Sequence, residues 1–321
     1  MNTRSIARVA FAFALIACAG VEAQTYPQRP VRIVVPFGPG GATDIVARSL
    51  AQKFSEAWNQ SVVVDNRGGA GGIIGSDLVA KATADGHTLL LATAANAANV
   101  VFEPKLPFDL VKDFAPVSHI VNVPFVLTAN PKVPANTVQD LVAYARTRPG
   151  QLNYGTVGLG TSNHLMMELL KSMSGTDILH IPYKGVGPAL VDLMGGRVNM
   201  MLFSIGAALP YLKDGRLKAI AVTSGKRADA LPNVPAISET LPGYDMTPWY
   251  GLLAPARTPQ GAIDRVNGEI LRILKQPDVL ESYAVQGFVP VGSTPAQFST
   301  HIREMIAKYQ RIVRDAKIKI E

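Results

Sequence analysis

The chain alternates between two hydrophobic periods. Val31–Val35 is a continuous apolar, β-branched run, the pattern of a strand buried on both faces. Directly behind it stand Phe37-Gly38-Pro39-Gly40-Gly41, and from Ala42 the period changes. Val46, Leu50, Phe54 and Trp58 recur every fourth residue, which predicts one face of an amphipathic helix with Thr43 or Asp44 placed to cap its start. Val62–Val64 predicts a second buried strand, followed by the turn-rich Asn66-Arg67-Gly68-Gly69-Ala70-Gly71-Gly72. A helix near Ile74–Ala82, a turn at Asp85-Gly86 and a strand at Thr88–Ala92 complete a βαβαβ order. Such an order builds a parallel sheet whose ligand edge lies at the C-terminal ends of its strands.

Two apolar runs within Val117–Thr128, broken by Asn122 and Pro124, predict a crossing into a second lobe. The same grammar recurs there. Leu152–Tyr154 is short and strand-like, Gly155-Thr156-Val157-Gly158-Leu159-Gly160-Thr161-Ser162 is a second glycine-rich loop, and a helix follows with Met166, Leu169, Leu170 and Met173 on one face. Ile178–Ile181, Asn199–Phe203 and Leu217–Val222 predict strands, with helices near Pro188–Met194 and Ala207–Lys213. Beyond the proline-rich Leu231–Thr247 the pattern returns to a strand at Trp249–Leu253. Two amphipathic helices then close the chain, one carrying Ile263, Val266, Ile270, Ile273 and Leu274, the other Phe298, Ile302, Met305, Ile306, Tyr309 and Val313. The last ~70 residues are expected to pack back onto the first lobe. Residues 24–125 with 250–321 then form one lobe and 126–249 the other.

Length agrees with two lobes, since 321 residues exceed the ~250–300 at which one core usually divides. The N-terminus reads as an export address. Arg4 and Arg8 precede thirteen small or apolar residues, Val9–Val21, too few for a span of ~20, and Val21-Glu22-Ala23 predicts cleavage after Ala23. Leu15-Ile16-Ala17-Cys18 offers a competing lipobox reading, with Cys18 as a lipid anchor. Cys18 is the chain's single cysteine, which excludes a disulfide framework and any multi-cysteine metal site. The 31 basic and 24 acidic residues give a net +7, and removal of residues 1–23 leaves +6. The basic residues are dispersed and carry no aromatic-interleaved strip, so a nucleic-acid partner is not expected.

Both glycine loops fall between a predicted parallel strand and a helix start. That position exposes unpaired backbone N–H groups at the positive end of a helix dipole, where an anion is favoured. Thr43, Thr161 and Ser162 add hydroxyls, and neither loop carries Lys or Arg. One such loop alone is equally a tight turn; two, one per lobe, point to a cleft with a wall from each. Nucleotide signatures are absent, for Gly38–Gly41 is not G-x-G-x-x-G and no G-x-x-x-x-G-K-[ST] occurs. Catalytic signatures are equally absent: there is no G-x-S-x-G, S-x-x-K or H-E-x-x-H. His87, His119, His164, His180 and His301 stand at no metal-ligand spacing, so neither a metal nor a cofactor is expected. His164 reads as a brace for its loop, and Lys184 either as a surface lysine or as a cation aimed into the cleft.

These motifs resemble one family throughout the chain. Tyr26-Pro27, Arg29-Pro30-Val31-Arg32-Ile33-Val34-Val35-Pro36-Phe37-Gly38-Pro39-Gly40-Gly41-Ala42-Thr43-Asp44, the loop Asn66–Gly72, and Leu152-Asn153-Tyr154-Gly155-Thr156 carry the likeness. So do Gly158, Gly160-Thr161-Ser162, His164-Leu165, His180-Ile181-Pro182-Tyr183-Lys184-Gly185, Gly195-Gly196-Arg197-Val198, Trp249–Ala256 and Thr258-Pro259. The chain resembles the Bug (Bordetella uptake gene) family, the extracytoplasmic solute receptors of tripartite tricarboxylate transporters.

The resemblance implies an α/β fold of the two-lobed periplasmic-binding-protein, or Venus-flytrap, kind, each lobe a mostly parallel sheet flanked by helices. It implies a periplasmic, monomeric receptor that closes over a small carboxylate and delivers it to the subunits of a membrane permease. In the family the two loops hold one carboxylate, largely through main-chain N–H groups and bridging waters. Carried onto this chain, that role falls to Phe37, Gly38, Gly40, Gly41, Ala42 and Thr43 in the first lobe. In the second it falls to Thr156, Val157, Gly158, Gly160, Thr161 and Ser162, with Phe203 and Ser204 bordering the pocket. Many relatives carry an aspartate where this chain has Ser204, which leaves the ligand's tail open. Hinges are expected near Pro124–Thr128 and Trp249–Leu253. Two other classes use the same features: a ligand sensor read by a membrane kinase, and an exported esterase or amidase built on Ser204 or His164.

Overall fold

The computed structural model describes residues 26–315 and Ile318; the predicted export segment, with Cys18, lies outside the described residues. The first half of lobe one runs β1 (Val31–Val35), α1 (Ala42–Trp58), β2 (Val62–Asn66), a single 3-10 turn at Ala70–Gly72, α2 (Ile73–Ala80), β3 (Thr88–Thr93), α3 (Ala94–Phe102) and β4 (Phe114–Asn122). The second lobe runs β5 (Phe125–Ala129), α4 (Val138–Arg146), β6 (Asn153–Thr156), α5 (Ser162–Ser174), β7 (Leu179–Pro182), α6 (Val186–Gly195), β8 (Met200–Ser204), α7 (Ile205–Lys213) and β9 (Lys218–Val222). The chain returns through β10 (Trp249–Pro255), α8 (Gln260–Ile273), α9 (Pro277–Val285), β11 (Val289–Pro290) and α10 (Pro295–Asp315).

Three helices exceed the expected set. In α3 the sequence Ala-Ala-Asn-Ala-Ala-Asn offers alanine propensity but no apolar period. α4 is short, and α9 restarts behind α8 at Pro277, a residue suited to a first helical turn, so three helices rather than two close the chain.

The strands form two sheets, ordered β11-β4-β10-β3-β1-β2 and β7-β6-β8-β5-β9. Without the short edge strand β11 they are one pattern used twice. β1 lies between β2 and β3, and β6 between β7 and β8, in parallel pairs; the next strand in each sheet, β10 or β5, runs antiparallel to both its neighbours. Both inserted strands come directly out of a crossing between sheets. Val123-Pro124 joins β4 to β5, Pro248 precedes β10, and the Val123 N–H donates to the Pro248 carbonyl at 2.7 Å. The two crossings are thus tied side by side, each continuing as a central strand of the sheet it enters.

Side chains alternate across each sheet as a period of two requires. Val31, Ile33 and Val35 face the cluster that holds Val46, Leu50, Phe54 and Trp58 of α1 and Ile263, Val266 and Ile270 of α8, while Val34 and Leu90 face the opposite layer with α10. In the second sheet Val126, Met201 and Phe203 pack against α6 and α7, and Leu127, Met200 and Leu202 against α4 and α5. One apolar cluster continues from α10 through Trp249 and Tyr244 to α5, so the lobes share core behind the crossings. No helix among the described residues is long and apolar enough to cross a membrane.

Candidate ligand-binding cleft

The C-terminal ends of the parallel strands in both sheets open onto one cleft of about 1870 Å³ between the lobes. Each of those strands hands over to a helix start. The starts differ in what already occupies their backbone donors, and that difference shapes the cleft.

The mouth of α1 has Gly41 as its N-cap, with no side-chain cap; neither Thr43 nor Asp44 takes the capping place predicted for it. Asp44 instead turns back. Its carboxylate accepts from the Gly40 N–H at 3.0 Å, from Arg48 Nε at 2.8 Å and from Asn66 Nδ2 at 3.1 Å, and Asn66 Nδ2 also donates to the Phe37 carbonyl at 3.1 Å. Burial by itself pushes the Asp44 carboxyl up, but the hydrogen bonds from Arg48, Gly40 and Asn66 outweigh it and hold the group below the usual carboxylate range. The loop is therefore pinned at both ends. Its Gly40 donor is spent on Asp44, while the first-turn N–H groups of Ala42 and Thr43 have no intrahelical acceptor.

The mouth of α5 repeats the plan with different braces. Thr161 is the N-cap, again without a side-chain cap bond. Its hydroxyl lies 2.7 Å from the Gly158 carbonyl and 2.6 Å from Asn163 Oδ1, and Gly160 donates to His164 Nδ1 at 3.4 Å. Thr156 stands behind the loop, fully buried and off the cleft wall. Its Oγ1 accepts from the Gly158 N–H at 3.2 Å and lies 2.6 Å from His180 Nε2. His164 is a loop brace, stacked on His180 at 4.3 Å, and His180 stacks in turn on Tyr154 at 5.0 Å. Burial, followed by the neighbouring His164, pushes His180 down to about 4, so the His180 ring is uncharged at neutral pH.

Of the residues expected at the site, Phe37, Gly38, Gly40, Gly41, Ala42 and Thr43 line the first wall. Val157, Gly158, Gly160, Thr161 and Ser162, with Phe203 and Ser204, line the second; Thr156 does not. Three contributions were not read from the sequence. The Ala70–Gly72 turn lines the first wall, and so do Asn99 and Phe102 from α3. Asn99 Nδ2 donates to the Gly71 carbonyl at 3.1 Å, and Phe102 meets the His164 ring at 5.4 Å, so α3 makes a further contact between the lobes, on the cleft itself. The Thr93-x-x-Asn96 capping box, in which each side chain satisfies the other's backbone, was the available signal for that helix.

Charge is sparse here. Among the described residues the lining includes Glu103, Asp177 and Lys184, all exposed, and Glu168 and Lys171, which pair with each other at 2.6 Å. Lys184 thus stands at the rim. An anion in this cleft meets helix mouths and hydroxyls in place of a fixed cation.

Residues 46–318 match the family described as tripartite tricarboxylate transporter family receptor. Protein BugT of Bordetella pertussis is 39% identical over 306 residues, covering 94% of this chain and 94% of BugT. Two solved structures superpose over nearly the whole chain. Rhodopseudomonas palustris Rpa4515 with adipate has a TM-score of 0.88 at 37% identity, covering 91% of this chain and 99% of that one. MatC from the same organism, with bound malate, has a TM-score of 0.85 at 32% identity, covering 90% and 100%. Two interleaved lobes, paired glycine loops on one cleft and a likeness that runs the length of the described chain agree: this protein belongs to the solute-binding receptors of the tripartite tricarboxylate transporter family.

Proposed function

We propose that this receptor captures a small carboxylate in the interlobe cleft and delivers it to a membrane permease from the extracytoplasmic side, after export by its N-terminal segment. One observation carries the reading: the uncapped mouths of α1 and α5 face a common cleft, one from each lobe, with Thr43, Thr161 and Ser162 beside them. A carboxylate there accepts hydrogen bonds from both lobes at once, so its binding favours the closed arrangement by the difference in contacts between open and closed states. Water-mediated contacts serve such a site well, because bridging waters conserve most of a direct bond's enthalpy. The ligands named for the two solved relatives, adipate and malate, are both carboxylates.

The sensor reading shares this closure and gains no separate observation. An esterase or amidase would need an activated nucleophile, and Ser204 has no hydrogen-bonded base among the described residues. The test is a thermal-shift and calorimetric screen of small carboxylates. Single-site binding is expected, with a melting temperature that climbs with ligand concentration as mass action requires. A flat response to every carboxylate up to millimolar concentration would overturn the reading.

A further inference from the structure

Beyond the two loops the cleft ends at the crossings, and its chemistry changes there. Ser204, at the junction of β8 and α7, is only 5% exposed and lines the cleft. It is the N-cap of α7, yet its hydroxyl makes no cap bond and has no other hydrogen-bond partner among the described residues. Tyr250, the second residue of β10, is also 5% exposed and lines the same cleft, and its hydroxyl is likewise without a partner there. Phe125 pairs in register with Ser204 and packs against the apolar cluster that contains Tyr250, which places both residues by the crossings. Both residues line the cleft, and neither hydroxyl is committed to another group among the described residues, so each can donate to or accept from a polar group bound there.

That group is not a second anion. The first two N–H groups of α7 are already engaged, Ile205 donating to the Pro124 carbonyl at 3.4 Å and Gly206 to the Gln286 carbonyl at 3.1 Å. This helix mouth has given donors to the crossing and to the segment behind α9, unlike the mouths of α1 and α5. Neither Lys nor Arg lines this end among the described residues; the charged groups of the lining are the exposed Glu103, Asp177 and Lys184 and the mutually paired Glu168 and Lys171. An ionised carboxylate here would lose its hydration against neutral hydroxyls and the rings of Phe125 and Phe203. An ammonium would meet no carboxylate either. A neutral amide, hydroxyl or carbonyl is matched by Ser204 and Tyr250, each able to donate and to accept.

We propose that Ser204 and Tyr250 form an uncharged distal subsite, and that the ligand is a monoanion: one carboxylate on the glycine loops and a neutral hydrogen-bonding group at its far end. This rests on the carboxylate reading of the loops. Selectivity follows from it, because a buried polar group left unpaired discriminates more strongly than one that is merely absent.

The experiment is calorimetry at pH 8 on the intact protein with length-matched probes: adipate, its half-amide, and hexanoate, then succinate, its half-amide, and butanoate. In the series that fits the cleft, the half-amide is expected to bind at least tenfold more tightly than the dicarboxylate. Ser204→Ala and Tyr250→Phe are each expected to lower the half-amide to plain-acid affinity ratio about fivefold, the loss of one net hydrogen bond. A dicarboxylate that binds as well as or better than its half-amide, or a ratio unmoved by both substitutions, overturns the distal subsite while leaving the receptor reading in place. Failure of all six probes to bind, together with a flat carboxylate screen, removes the receptor reading and this inference with it.

Discussion

At the residue scale, Asp44 shows how a charge beside the proposed anion site can brace its loop from behind the cleft lining. A carboxylate in the first turn of α1 should repel an anion, yet here it is folded back onto the Gly40 N–H and the Asn66 amide and paired with the Arg48 guanidinium, which offsets its charge. Replacing it removes a partner from a backbone donor and from two side chains at once. Asp44→Ala is expected to weaken ligand binding about tenfold and to destabilise the protein by about 1–3 kcal/mol in urea denaturation, the range for leaving buried polar groups unsatisfied. Because its folded pKa lies below the unfolded one, the stabilisation by Asp44 is present above the ordinary carboxylate range and is lost as pH falls through it. Unchanged affinity in Asp44→Ala would mean that the loop holds its shape without this brace. The sequence displayed Asp44 beside the loop, but its partner Asn66 comes from β2, a contact that only strand pairing creates.

At the scale of elements, the wall behind the second loop is a stack of rings, Tyr154, His180, His164 and Phe102, drawn from β6, β7, α5 and α3. A second stacked pair, the buried His119 and the half-buried His301 at 4.5 Å, sits between β4 and α10 beside Trp249. Burial, then His301, pushes His119 down to about 4, the same level as His180. Each imidazole is held below its unfolded value near 6.5, so the unfolded chain takes up protons first. Stability is therefore expected to be full above pH 6.5 and to decline as pH falls from there to about 4. Thermal melts across pH 4–7 check this. His180→Gln and His119→Phe together should flatten the decline, and an equally steep decline in that double variant would place its cause elsewhere. His164 was legible in the sequence as a brace for its loop; the stack was not, because four separate elements must pack before the rings meet.

Across the whole molecule, the antiparallel strands β5 and β10 set where lobe rotation is expected. Each is a crossing segment that continues as a central strand, so the hinges expected near Pro124–Thr128 and Trp249–Leu253 fall largely within paired strands, and rotation is expected in the few residues at Val123-Pro124 and before Trp249. At the other side of the cleft the lobes meet where Gly160, at φ 68°, passes Asn99 and Phe102; a Cβ there would stand 3.3 Å from Asn99 Oδ1 and from Phe102 Cβ. The backbone angle and the close approach both call for glycine. Gly160→Val is expected to hold the lobes apart. Small-angle scattering should show the wild-type radius of gyration contracting on ligand addition and the variant failing to contract. Its affinity should fall at least tenfold, with an unchanged circular dichroism spectrum. Full contraction in the variant would show that closure does not pass through this contact.

The strand–glycine loop–helix units, their ordering into two lobes, and the shortage of basic residues in the loops were all determined by local sequence. Hydrophobic period and glycine placement act over a few residues and need no partner to be seen. Tertiary structure alone decided which donors remain open. The Gly40, Ile205 and Gly206 donors are consumed by Asp44, Pro124 and Gln286, while the mouths of α1 and α5 are left uncapped. It also decided that Asn99 and Phe102 join the cleft from a helix without apolar period, and that Ser204 and Tyr250 line one cavity. A hydrogen bond is settled by which groups packing brings within 3 Å of each other, and residues 46 positions apart in sequence announce nothing about that.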